Sequence, residues 1–214
     1  MTDLKGNIFF EGPAGRVEAI LKEPATPTSR IAIVCHPHPL FGGTMHNKVV
    51  YRIAKAFQDS GFAVLRFNFR GVGHSHGSHD EGRGEQDDLR AAIKFMKEKY
   101  PEAETWLAGF SFGSMVVLRA GCGDARTRAL VAAGVPVSKY GFSEVIDCDK
   151  PKLFVQGELD EFGRPADLER FAARLSGPKT IRMIEGVGHF FEDRLAELQK
   201  AVSDFIHSVS MNNG

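Results

Sequence analysis

The stretch that decides how this chain folds is "GFSFGS", residues 109–114. It follows the apolar run Thr105-Trp106-Leu107-Ala108 and precedes Met115-Val116-Val117-Leu118. Glycines two before and two after Ser111 give the spacing G-x-S-x-G in a strand-to-helix context. A turn this sharp holds the serine in strained backbone angles and exposes its hydroxyl, while the glycines let strand and helix pack closely. The following helix points its positive end at the hydroxyl, where a developing oxyanion is favoured. The same residues also fit a glycine-rich turn that carries no chemistry, so the rest of the chain has to decide.

Outward from Ser111 the chain alternates between two kinds of apolar run. Gly15 to Leu21 alternates polar and apolar residues and predicts an early, antiparallel-type strand. Ile31 to Cys35 is continuously apolar, as expected of a strand covered on both faces. Further strands are expected at 62–67, 105–108, 129–135, 152–156 and 179–184. Helical periodicity predicts helices at 47–59, 85–100, 111–120, 165–175 and 192–209. Strands alternating with helices of this length make an α/β fold, a mostly parallel sheet with helices on both faces in three αβα layers. Ligands in such sheets sit beyond the carboxyl ends of the strands, which directs attention to the loops at 36–43, 70–84, 109–113, 135–140, 157–163 and 186–191.

A serine nucleophile needs a base. Of eight histidines, His189 in "EGVGHFFEDR" (185–194) follows a late strand and precedes the last helix. The base needs an acid to orient it. "LFVQGELDEFG" (153–163) offers Asp160, with Glu158 and Glu161 as competitors; Asp160 is short and lies well into the turn. The order Ser111, Asp160, His189 is the one expected of α/β-hydrolases.

Two longer segments narrow the resemblance: "HPHPLFGG" (36–43) and "NFRGVGHSHGSHDEGRGEQDDLRAAI" (68–93). Over nearly its whole length the chain resembles the α/β-hydrolase superfamily. More narrowly it is similar to small, lid-less, carboxylesterase-like bacterial members with an H-P-H-P-x-x-G-G loop. The resemblance implies an eight-stranded sheet with the second strand antiparallel, and Ser111, Asp160 and His189 as the triad. One oxyanion donor is expected at the Phe112 amide. Pro37 and Pro39 have no N–H to give, so the second is expected at Leu40, with Phe41 as the alternative. His36 and His38 are expected to brace their loop through hydrogen bonds.

Residues 136–151 are too few for a separate cap domain, although 140–146 could make about two helical turns. The site is expected to be open and roofed by Leu40, Phe41, Tyr140, Phe142 and Phe162, with the last four as substrate-binding residues. A single domain is expected over 1–214. The expected substrate is a small ester, with thioesters or small peptides as alternatives; a non-catalytic binding protein on the same fold is the reading from a different class.

Composition sets limits on these readings. The chain has 214 residues, with 27 basic and 27 acidic side chains in balance, 43% hydrophobic and 25% charged. Balanced charge gives no electrostatic case for nucleic acid, and no apolar window is long enough for a membrane span. No basic segment with a long apolar stretch opens the chain. Cys35, Cys122 and Cys148 are odd in number and match neither a disulfide framework nor a zinc site. These features together favour a cytoplasmic setting. His74, His76 and His79 lie close in sequence without companion cysteine or carboxylate spacing, so no metal and no cofactor are expected. Cys35, Trp106, Phe67 and Phe69 read as core.

Overall fold

The computed structural model describes residues 6–211. Eight strands form one sheet: β1 (Ile8–Gly12), β2 (Gly15–Lys22), β3 (Arg30–Cys35), β4 (Ala63–Phe67), β5 (Glu104–Phe110), β6 (Thr127–Ala133), β7 (Lys152–Gly157) and β8 (Lys179–Ile184). Their spatial order is β1-β2-β4-β3-β5-β6-β7-β8. β2 runs antiparallel to both neighbours, and every pair from β4 to β8 is parallel. This is the expected α/β-hydrolase sheet. The eight strands are those the resemblance implied; the apolar runs placed seven, and the one they missed is β1, which pairs with β2 through a tight turn from Gly12 to Gly15.

Among the described residues, five helices cover the sheet: α1 (Lys48–Asp59), α2 (Arg83–Lys99), α3 (Phe112–Cys122), α4 (Pro165–Ala173) and α5 (Leu195–Met211). Side chains alternate across a strand, so each central strand feeds two cores. Ile31, Ile33, Leu65 and Phe67 turn to the face that holds Leu89 and Ile93 of α2, Val116 of α3 and Leu168 of α4. Ala32, Val34, Val64 and Trp106 turn to the other face, against Val50 and Phe57 of α1 and Val202 and Phe205 of α5. Burial on both faces is why Ile31 to Cys35 reads as an unbroken apolar run. Asn47 caps α1, its side chain accepting from the Val49 amide at 2.9 Å.

The connection from β6 to β7 occupies 134–151 and contains one short 3-10 turn, Ser143–Val145. That is less helix than the expected two turns, and it leaves the carboxyl edge of the sheet without a cap domain. No helix among the described residues is long and apolar enough to cross a membrane.

One expectation is corrected outright. Cys122 and Cys148 are disulfide-bonded, with Cα atoms 5.2 Å apart, and Cys35 is the free, buried cysteine. Spacing along the chain could not show this, because the pair joins the end of α3 to the segment entering β7, 26 residues apart. The cysteine argument for a cytoplasmic setting is thereby withdrawn. Closing a loop of this length restricts the unfolded chain by about 3.5 kcal/mol. Cys148→Ala, or thiol reduction of the wild type, should lower the urea midpoint accordingly; an unchanged midpoint would show that the bridge contributes nothing.

Candidate active site

β5 ends at Phe110, and the backbone turns through Ser111 at φ 54° and ψ −121° before α3 begins. A positive φ at a non-glycine residue is strained and persists where surrounding structure enforces it. The enforcement is visible at the flanking glycines. A Cβ on Gly109 would lie 2.2 Å from the Gly113 carbonyl oxygen, and one on Gly113 would lie 2.5 Å from that of His36. The elbow therefore presses α3 against both β5 and the end of β3, and any larger residue at 109 or 113 would force them apart.

The Ser111 hydroxyl lies 2.8 Å from His189 Nε2. His189 Nδ1 lies 2.8 Å from Asp160 Oδ2. Loops after β5, β7 and β8 thus bring three residues, separated by 49 and 29 positions in the sequence numbering, into one hydrogen-bonded series. Asp160 is 1% exposed and His189 4%, so water does not compete for the bond between them. The other Asp160 oxygen accepts from the amides of Phe162 at 2.9 Å and Gly163 at 3.2 Å. Neither competitor reaches the histidine: Glu158 accepts instead from the Gly186 amide at 2.9 Å, and Glu161 is exposed.

Gln156 was missed in the sequence. This fully buried residue donates to Asp160 Oδ2 at 2.8 Å and to the Gly163 carbonyl at 2.9 Å, and its own carbonyl accepts from the Val135 amide at 2.8 Å. It fixes the acid loop to the ends of β6 and β7. The available signal was a lone amide closing the apolar strand "KLFVQG".

The loop after β3 does not leave free the amides expected to supply the second oxyanion donor. The Leu40 amide donates to His38 Nδ1 at 3.2 Å, and the Phe41 amide donates to the His38 carbonyl at 3.1 Å. Both N–H groups are occupied, and Leu40 is 70% exposed and outside the cleft lining. The brace role expected of the histidines is what the geometry shows. His36 Nε2 accepts from the Phe69 amide at 3.0 Å, which leaves its Nδ1 proton for the Pro37 carbonyl at 2.6 Å. Burial pushes the His36 imidazole down to about 4, so it stays neutral in this role. Burial, and then the neighbouring His79, push His38 down as well. His79 pairs with buried Glu85 at 2.8 Å and packs its ring 5.5 Å from Phe112.

A cleft of about 540 Å³ opens over Ser111 and His189. Phe41, Tyr140 and Phe162 line it as expected. Phe142 does not: it is buried, with its ring 4.9 Å from that of Phe171 on α4. Phe190, Asn47, Pro136 and Lys139 join the lining without having been anticipated.

Comparison with known proteins agrees with this architecture. Residues 37–135 match the profile of the alpha/beta hydrolase fold family. An alpha-beta serine hydrolase homologue from Coxiella burnetii is 37% identical, over 92% of this chain and 95% of that one, with a TM-score of 0.88. This chain belongs to the α/β-hydrolase family. An α/β serine hydrolase without a lid from Xanthomonas campestris is 36% identical, over 94% and 93% of the two chains, with a TM-score of 0.88. An uncharacterized protein of Rickettsia prowazekii (strain Madrid E) is 36% identical over 214 residues, 96% of this chain and 90% of that one.

Proposed function

We propose that this α/β-hydrolase is a serine esterase that cleaves small carboxylic esters through an acyl-enzyme on Ser111. The observation that carries the reading is the continuous series from Ser111 Oγ through His189 to Asp160, each step 2.8 Å. His189 Nδ1 donates to Asp160, so its Nε2 is free to accept the serine proton as Oγ attacks the ester carbonyl. The imidazolium formed is stabilised by the Asp160 carboxylate and returns its proton to the departing alkoxide. Water, deprotonated by the same imidazole, then hydrolyses the acyl-enzyme.

The oxyanion is assigned to two amides. Phe112 opens α3, where a helix's first N–H groups have no intrahelical partner. The second is reassigned from Leu40 to His38, whose own N–H has no acceptor among the described residues. His38 follows Pro37 at the lip of the cleft, with its ring 4.9 Å from Phe112.

The cleft's shape and walls support this substrate class. Aromatic rings flank Ser111, and the 134–151 connection adds Pro136, Lys139 and Tyr140 to the wall without forming a cap to enclose a long chain. Each covered methylene contributes about 0.8 kcal/mol, but only where protein covers it. Across a p-nitrophenyl ester series, kcat/KM should peak between acetyl and butyryl and then flatten or fall. A steady rise to dodecanoyl would refute the short-chain assignment. No turnover of any ester, thioester or amide would favour the non-catalytic reading.

A further inference from the structure

The cleft is walled by aromatic rings, backbone and neutral polar groups, with one exception. Among the described residues, Lys139 is the only lysine or arginine lining it, and no aspartate or glutamate lines it. Lys139 makes no ion pair among the described residues. The candidate partners lie elsewhere. Glu144 is taken by Arg119 at 2.8 Å. Glu161, next to Phe162, does not come within ion-pair distance of Lys139. A cation at the mouth of an apolar cleft is left with its charge unneutralised.

Its position is set by the fold. The turn carrying Lys139 closes through its own amide onto the Pro136 carbonyl at 3.0 Å. The preceding residue, Ser138, donates its hydroxyl to the Phe162 carbonyl at 2.6 Å. This stitches the loop after β6 to the acid loop after β7, the loop that Asp160 and Gln156 hold in place. Across that seam the Lys139 ammonium lies 5.9 Å from the centroid of the Phe162 ring, within cation–π range. The Phe162 ring in turn lies 4.8 Å from the His189 ring. The ammonium and the proposed general base thus both pack against the Phe162 ring, so a substrate arm that leaves Ser111 over Phe162 would pass near the ammonium.

We infer that Lys139 makes this site selective for esters that carry a carboxylate on one arm, a short distance from the scissile bond. A single ammonium with no arginine beside it in the cleft lining suits a monoanion; a phosphate dianion is more often met by several donors at once. The inference rests on the esterase reading of Ser111 and adds the charge of the substrate to it. An ion pair that remains open to water is worth a few-fold in affinity, enough to rank substrates of equal size.

The test compares matched pairs that differ in one charge. On the acyl arm, p-nitrophenyl hemisuccinate is set against its neutral methyl ester. On the alcohol arm, 4-acetoxybenzoate is set against methyl 4-acetoxybenzoate. The readout is the charged-to-neutral ratio of kcat/KM in the wild type divided by that in Lys139→Gln, which cancels intrinsic ester reactivity. We expect this quotient to be about five on at least one arm, and the arm identifies which side of the ester carries the carboxylate. Lys139→Glu should push the ratio below that of Lys139→Gln. Salt at about 1 M, where the screening length is roughly 3 Å, should bring the wild-type ratio toward that of Lys139→Gln. Lys94→Gln, which alters an exposed lysine on α2, controls for net charge and should leave the ratio unchanged. Equal ratios in wild type and Lys139→Gln on both arms would overturn the inference while leaving the esterase reading intact. Absence of turnover of the charged and the neutral esters alike by the wild type would remove the esterase reading, and this inference with it.

Discussion

Ser111→Ala is expected to reduce kcat/KM for p-nitrophenyl acetate by three orders of magnitude or more, with the thermal midpoint close to that of the wild type. The loss is large because attack by Oγ and proton removal by His189 act as one unit, so removing either member disables both. What remains should come from the oxyanion amides and from substrate positioning. Alanine keeps a Cβ at φ 54°, so it bears the same backbone strain as serine and gains no relief on substitution. Labelling supplies a second readout: a fluorophosphonate should modify the wild type at Ser111 and leave Ser111→Ala unmodified. Retention of more than about a tenth of the activity in pure protein would contradict the mechanism, and an unlabelled wild type would support a binding protein on a hydrolase scaffold.

For Asp160→Asn the expected loss in kcat is about 10⁴-fold. The isosteric amide can keep its oxygen on the Phe162 and Gly163 amides, as Oδ1 is held now. Its NH2 group would then face two donors, Gln156 Nε2 and His189 Nδ1, where a carboxylate oxygen now accepts from both. His189 escapes the clash by moving its proton to Nε2, and that tautomer cannot accept from Ser111. The neighbouring substitutions are the control. Glu158→Gln keeps an oxygen for the Gly186 amide, and Glu161→Gln alters an exposed side chain, so both should retain most activity. A larger loss from either than from Asp160→Asn would mean that the acid has been misassigned.

Much of this was legible in the sequence because it is written locally. A strand buried on both faces must be apolar at every position, as Ile31 to Cys35 is, and an elbow that brings α3 onto β5 must have glycine where a Cβ would strike backbone, as at Gly109 and Gly113. The order of Ser111, Asp160 and His189 survived translation into space because each follows its own strand at the same edge of the sheet. The features that escaped depend on relations the chain does not spell out in order. Which amide of 36–43 is free depends on how His38 folds back on Leu40 and Phe41. Phe142 is indistinguishable from Phe190 by composition, yet one is packed on α4 and the other is half exposed at the cleft. Gln156 looks like one polar residue in a strand until Asp160 and Gly163 are placed around it. Cys122 and Cys148 meet only because α3 ends where β7 is about to begin.

That last meeting has a consequence of its own. The bridge lies where β7 begins, whereas the reacting groups gather where β5, β7 and β8 end, so the length of the sheet separates them. Six residues of β7 at about 3.3 Å each put roughly 20 Å between the two. A change in the thiol state of the surroundings would thus alter how long each molecule survives without altering how fast it works while it does.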